Sequence, residues 1–175
     1  HADDNKSPKP PDLDLRDFNG TISNNLFDTL LSSLIPDSQD ANSIRILDSQ
    51  IDKIKINSSQ FEPKPVTPND TINLYTNLGL LKFKFYLEES PKNSLNFKKL
   101  ANSGFYDKTL FHRVIPGFMI QGGDILSRDN FPENDGTGNP GWTIEQEFND
   151  IRHKRGILSM ARSRDVNSAG SQFFI

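Results

Sequence analysis

Phe111-His-Arg-Val-Ile-Pro-Gly-Phe-Met-Ile-Gln-Gly-Gly-Asp124 is the stretch on which the reading of this 175-residue chain turns. By residue type it is two short β segments, Leu110–Ile115 and Phe118–Gln121, folded back around Pro116-Gly117. Side chains alternate along a strand, so Met119 and Gln121 share a face. The same alternation is expected to set Arg113 on the face of Phe111 and to turn His112 away, which removes His112 as a catalytic base. An arginine among apolar strand residues suits a structural ion pair as well as a site cation, and Phe118 and Met119 taken alone read as core. Gly122-Gly123-Asp124 reads as a turn and nothing more.

Working outward, Leu81, Phe83, Phe85 and Leu87 alternate with Lys82, Lys84 and Tyr86, a period of two. Ile72-Asn-Leu74 precedes them across Asn77-Leu-Gly79, which predicts a hairpin with glycine at the bend. Ser90-Pro91 opens a helix carrying Leu95, Phe97, Leu100 and Ala101, and Gly104 ends it. Residues 122–156 are mostly loop, with Arg152-His-Lys-Arg155 a solvated turn. Ile157–Met160 and Gln172–Ile175 are expected to be two more short strands.

Composition divides the chain near residue 70. Residues 1–70 hold 7 Lys/Arg against 12 Asp/Glu, while 14 of the 17 aromatic residues lie beyond them. The first part is therefore too poor in large apolar groups to build its own core. Residues 1–17 read as disordered, Ile22 to Ile35 as an amphipathic helix capped by Ser23 and stopped by Pro36, residues 42–56 as a second helix, and the Pro-rich run 61–70 as a linker. The expected role of the helical face is to dock on the domain formed by residues 71–175.

Much chemistry is excluded outright. Cysteine is absent, so thiol nucleophiles, zinc–thiolate sites, iron–sulfur clusters and disulfides are ruled out. A net charge of −3 argues against nucleic acid as a partner. No stretch is long and apolar enough to span a membrane. His1 offers an amine and an imidazole to copper, but only His112 and His153 could join it, which makes copper the weakest reading.

The quoted stretch resembles the signature of the cyclophilins, the peptidyl-prolyl cis–trans isomerases. Gly156-Ile-Leu-Ser-Met-Ala161 and Ser168-Ala-Gly-Ser-Gln-Phe-Phe-Ile175 resemble two further blocks of that family, in order, and Asn96-Phe97 and Gly104-Phe-Tyr-Asp107 match as well. The resemblance covers residues 71–175. It implies a mainly β fold, a closed antiparallel eight-stranded barrel with end helices, incomplete here, preceded by the partly helical extension. It also implies action on X-Pro bonds of polypeptides with no cofactor and no metal. Residue by residue, Arg113 matches the catalytic arginine. Phe118, Met119 and Phe174 match the apolar pocket for the proline ring, Gln121 a substrate-backbone contact, and Ala161 and Gln172 the neighbouring groove. Arg162-Ser-Arg164 departs from the small or amide residues of many relatives, which favours acidic residues beside proline.

The competing reading is a cyclophilin-like binding, chaperone or assembly module without turnover; the matching arginine favours the enzyme. The family domain continues past the position of Ile175 and there supplies a tryptophan, a leucine and a histidine of the pocket, for which Trp142 is no substitute. Residues 1–175 are therefore expected not to be an autonomous active enzyme, with the remaining strands coming from the gene beyond or from a strand-supplying partner. Asn-x-Ser/Thr triplets at Asn5, Asn19, Asn57 and Asn69, all in the extension, together with a polar start lacking Met, lead to the expectation of an exported protein, with a cytoplasmic one as the alternative.

Overall fold

The computed structural model describes residues 41–129 and 131–175, with side chains from residue 48 onward. The helix expected over residues 22–35 and the segment 1–17 lie outside the described residues. In order come α1 (Ala41–Gln60), β1 (Thr71–Thr76), β2 (Gly79–Lys84), α2 (Pro91–Asn102), β3 (Arg113–Ile115), β4 (Met119–Gly122), β5 (Ser159–Met160) and β6 (Phe173–Phe174). Two 3-10 turns, Leu126–Arg128 and Pro132–Asn134, lie between β4 and β5. Strands β1 and β2 form an antiparallel hairpin closed by Asn77 and Leu78, with Thr76 opposite Gly79. Strand β2 ends at Lys84, three residues short of the expected Leu87. The other four strands form a sheet in the order β3-β4-β6-β5. Among the described residues these six strands make two separate sheets, with no ladder joining them into a closed barrel.

Helix α2 follows from its ends. Pro91 occupies a first-turn position where its missing N–H costs nothing. At the other end Phe105 N–H bonds to Leu100 O at 3.0 Å and Gly104 N–H to Ala101 O at 3.3 Å. With Gly104 at φ +77° this is a Schellman motif. The motif sets Phe105 against Leu100, both fully buried, and Ile125 and Ile51 complete the cluster. Ile51 comes from α1, so the N-terminal helix contributes to the same core as residues 71–175. Ser103 Oγ donates to Ser58 Oγ at 2.8 Å, and Lys99 Nζ to Ser59 O at 2.9 Å. Lys98 Nζ reaches Asp70 at 2.8 Å, which ties down the end of the Pro-rich run.

A second layer of the core is aromatic. Phe173 meets Phe97, Tyr106 and Phe111 edge-on, at centroid distances of 5.5, 5.6 and 6.1 Å. Such tilted and edge contacts suit the quadrupoles of the rings. Polar pins register strand against helix: Asn96 Nδ2 donates to Gly170 O at 2.7 Å and Tyr106 Oη to Ser171 O at 2.9 Å. Helix α2 and the tyrosine after it thus hold the chain entering β6 from the core side. The residue that follows Phe173 must face the other way.

Candidate active site

That residue is Phe174, and the register of the four-stranded sheet sets a row beside it. Arg113 is opposite Gln121, Gln121 opposite Phe174, and Phe174 opposite Ser159. Residues directly opposite in antiparallel strands project from one face. One ladder step along, Gly122, Phe173 and Met160 form the next row, turned to the core. Met119, two residues before Gln121, shares the face of Gln121 and is 8% exposed. The outer face of the sheet therefore carries a guanidinium, an amide, a thioether and an aromatic ring side by side.

The turn between β3 and β4 presents the remaining apolar group. Phe118 N–H bonds to Ile115 O at 3.0 Å across Pro116-Gly117, and Gly117 has φ +75°. Proline followed by a positive-φ glycine is the chemistry of a type II turn. It leaves Phe118 at the end of the turn, 76% exposed. Ala161 continues the β5–β6 pairing, its N–H donating to Gln172 O at 2.8 Å. All seven residues anticipated from the sequence thus fall on the four-stranded sheet, its tight turn or the chain directly extending its strands.

Their polar groups are linked. Gln172 Nε2 donates to Gly136 O at 2.9 Å and to Gly138 O at 3.0 Å, and its Oε1 accepts from Gln121 Nε2 at 2.9 Å. Gln121 Oε1 accepts in turn from Arg113 Nη1 at 3.5 Å. Arg113 is otherwise exposed, with its remaining donors available to a ligand. Burial keeps the pKa of the neighbouring His112 below its ordinary value; the charge of Arg113 acts the same way and Asp124 opposes both.

Two sequence readings are corrected here. Strand β3 begins at Arg113, so alternation does not reach back to Phe111, whose ring lies against Phe173 on the core side. Phe111 and Arg113 are therefore on different faces. Asp124 is more than part of a turn: it is fully buried, accepts from Leu126 N–H at 2.8 Å and also from Gly136 N–H. The sequence reading also missed His153. Arg152 to Arg155 are all exposed, as expected, yet His153 Nε2 lies 3.2 Å from Ser159 Oγ and its ring meets Phe174 edge-on at 5.3 Å, beside the row. No local signal marked it, because the partner is six residues on and the ring belongs to another strand. Trp142 packs on the core and donates to Asn96 Oδ1 at 2.9 Å.

Comparison with known proteins agrees with this geometry. Residues 71–175 match the family described as cyclophilin type peptidyl-prolyl cis-trans isomerase/CLD. The chain is 47% identical over 102 residues to the peptidyl-prolyl cis-trans isomerase of Synechococcus elongatus, covering 58% of this chain and 65% of that protein. It is 50% identical over 97 residues to peptidyl-prolyl cis-trans isomerase B of Bacillus subtilis, covering 54% and 62%. Among solved structures it is similar to a Cryptosporidium parvum cyclophilin type peptidyl-prolyl cis-trans isomerase crystallised in the presence of the dipeptide ala-pro. That match has 40% identity and a TM-score of 0.52, over 60% of this chain and 66% of that one. The chain thus spans just under two thirds of the length of the relatives it matches.

Proposed function

The chain belongs to the cyclophilin-type peptidyl-prolyl cis–trans isomerase family, and from that membership we propose that it accelerates isomerisation of X-Pro bonds in polypeptides and so assists protein folding. The observation that carries the reading is the row Arg113–Gln121–Phe174, with Met119 on the same face and Phe118 at the adjoining turn. Resonance in the amide sets a barrier of ~18–20 kcal/mol. Around an X-Pro bond the uncatalysed change takes on the order of tens to hundreds of seconds. No covalent intermediate is needed. The twisted amide has to be bound better than the planar one, and two features of the surface serve that end.

Phe118, Met119 and Phe174 offer an apolar seat for the pyrrolidine ring. Arg113 offers fixed N–H donors to the carbonyl and nitrogen whose charge distribution changes as resonance is lost, a preorganised electrostatic role. Gln121 keeps one amide hydrogen for the substrate backbone, since only the other is used by Gln172. A protease-coupled assay on a prolyl peptide tests the reading. Turnover by the protein with every strand of the family domain in place, lowered ~10²–10³-fold in Arg113→Ala, is the expected result; equal rates for the two would leave only a binding module.

Finer proposals accompany it. Exposed Arg162 and Arg164, next to Ala161, favour acidic residues beside the proline; peptides differing only by Glu or Lys before proline test this, and equal rates refute it. Family membership supports a closed eight-stranded barrel, in which the free edges of the hairpin and of β5 pair with further strands of this polypeptide or of a partner. An exported location is supported by the four Asn-x-Ser/Thr triplets, two of which, Asn57 and Asn69, are exposed. Retention of the expressed protein inside the cell, with a gel mobility unaltered by glycan removal, would count against it.

A further inference from the structure

The hydrogen bonds around Gln172 have only one consistent direction. Carbonyl oxygens accept and never donate, so the end of the Gln172 amide facing Gly136 O and Gly138 O is its nitrogen. Its oxygen then faces Gln121, which must present nitrogen there, and the oxygen of Gln121 is left towards Arg113. Reversing either amide would set oxygen against oxygen or N–H against N–H. Both hydrogens of the Gln172 amide are occupied by the two loop carbonyls, which leaves it no donor for a substrate.

The two carbonyls are themselves fixed. Gly136 N–H donates to the fully buried Asp124 carboxylate, whose other oxygen holds Leu126 N–H. Gly138 lies so close to that carboxylate that a Cβ there would come within 1.8 Å of Asp124 Oδ1. Only glycine allows the loop to approach so closely, and the approach is what brings both carbonyls to Gln172.

We propose that Gln172 is a positioning residue rather than a substrate contact: held by the Gly136–Gly138 loop, which Asp124 anchors, it orients Gln121 and through it the guanidinium of Arg113. The inference rests on the isomerase reading for its catalytic consequence, though not for its structural one. Misplacing a catalytic group by about 1 Å can cost ~100-fold in rate, so a side chain that never touches substrate can still govern turnover.

The test is Gln172→Glu in the full chain, with Gln172→Ala as a second variant should the carboxylate, facing two carbonyls, prevent folding. The expected result is a kcat lower by ~10- to 100-fold with KM unchanged within about twofold. The side-chain 1H–15N signals of Gln121 and Arg113 Nε should also shift and broaden in the folded variant. A raised KM at unchanged kcat would show that Gln172 binds substrate and overturn the proposal. Signals of Gln121 and Arg113 that superimpose on those of the wild type would overturn it equally. If the wild-type protein shows no turnover with every strand of the family domain in place, the isomerase reading falls and the spectra alone decide the positioning role.

Discussion

Replacing Glu147 should loosen helix α2 by an amount that its own geometry sets. Ser90 stands at the cap position, yet its hydroxyl makes no bond to a helix N–H. The first turn is satisfied from 55 residues away: Glu147 accepts from Lys92 N–H at 2.7 Å, Asn93 N–H at 2.8 Å and Asn93 Nδ2 at 2.7 Å. Two orphan backbone donors and the positive end of the helix dipole thus converge on one carboxylate. Losing a side-chain cap costs ~1 kcal/mol, within a range of about 0.5–2, and a negative charge at a helix start contributes about 0.3–1 kcal/mol. The two overlap, so Glu147→Ala is expected to cost about 1–2 kcal/mol. Glu147→Gln keeps one acceptor oxygen and should cost about half as much. Urea unfolding followed by far-UV circular dichroism measures both, as a lower midpoint at unchanged slope. Added salt should narrow the gap between Glu and Gln, since the charge component is screened. The reasoning fails if alanine costs less than ~0.5 kcal/mol, the low end for a lost cap, or if glutamine is as damaging as alanine.

Three further outcomes are expected. Ile51→Ala empties a site that is 5% exposed, between α1 and Leu100, Phe105 and Ile125, and should cost about 2–4 kcal/mol in the same unfolding measurement; a negligible loss would mean that α1 is not part of the folding unit. Asp135 has its pKa pushed up to about 6, chiefly by burial and further by Asp124, Asp129 and Glu133. The folded state therefore binds more protons than the unfolded one between the ordinary value of 3.8 and about 6, and stability falls as pH rises through that window. Asp135→Asn should flatten this slope and raise stability above pH 6, as urea midpoints from pH 4 to 7 would show. Arg113→Lys should lose most of the ~10²–10³-fold expected for removing a preorganised donor, because a point charge lacks the planar fork; full activity in the lysine variant would contradict the proposed role.

What the sequence made legible was local. Pro116-Gly117 defined the turn, so β3 and β4 followed, whereas the exposure of Phe118 did not, since by residue type alone it reads as core. Pro91 and Gly104 marked the ends of α2 within a residue or two. The hairpin was readable from its period of two. The misreadings are all non-local. Phe111 was assigned to the wrong face because alternation was extended two residues before the ladder starts, and only pairing with Gln121 defines that start. Asp124 looked like a turn residue because its second partner, Gly136, is twelve positions away across a loop with no periodic pattern. His153 was hidden in the same way, because the ring it meets, Phe174, belongs to a strand much later in the chain. Gln172 was found by resemblance, but the direction of its amide depends on carbonyls of Gly136 and Gly138, and backbone oxygens leave no trace in side-chain identity.

Trp142 has a consequence of a different kind. It is the chain's single tryptophan, and it packs on the cluster to which α1 contributes Ile51, beneath the ammonium of Lys99 at 5.3 Å and bonded to Asn96. Its fluorescence is thus an internal gauge of that core and not of the outer face of the sheet. Loosening α1 should shift the emission of Trp142 to longer wavelength, so within residues 1–175 this indole is an optical marker for the seating of the N-terminal helix.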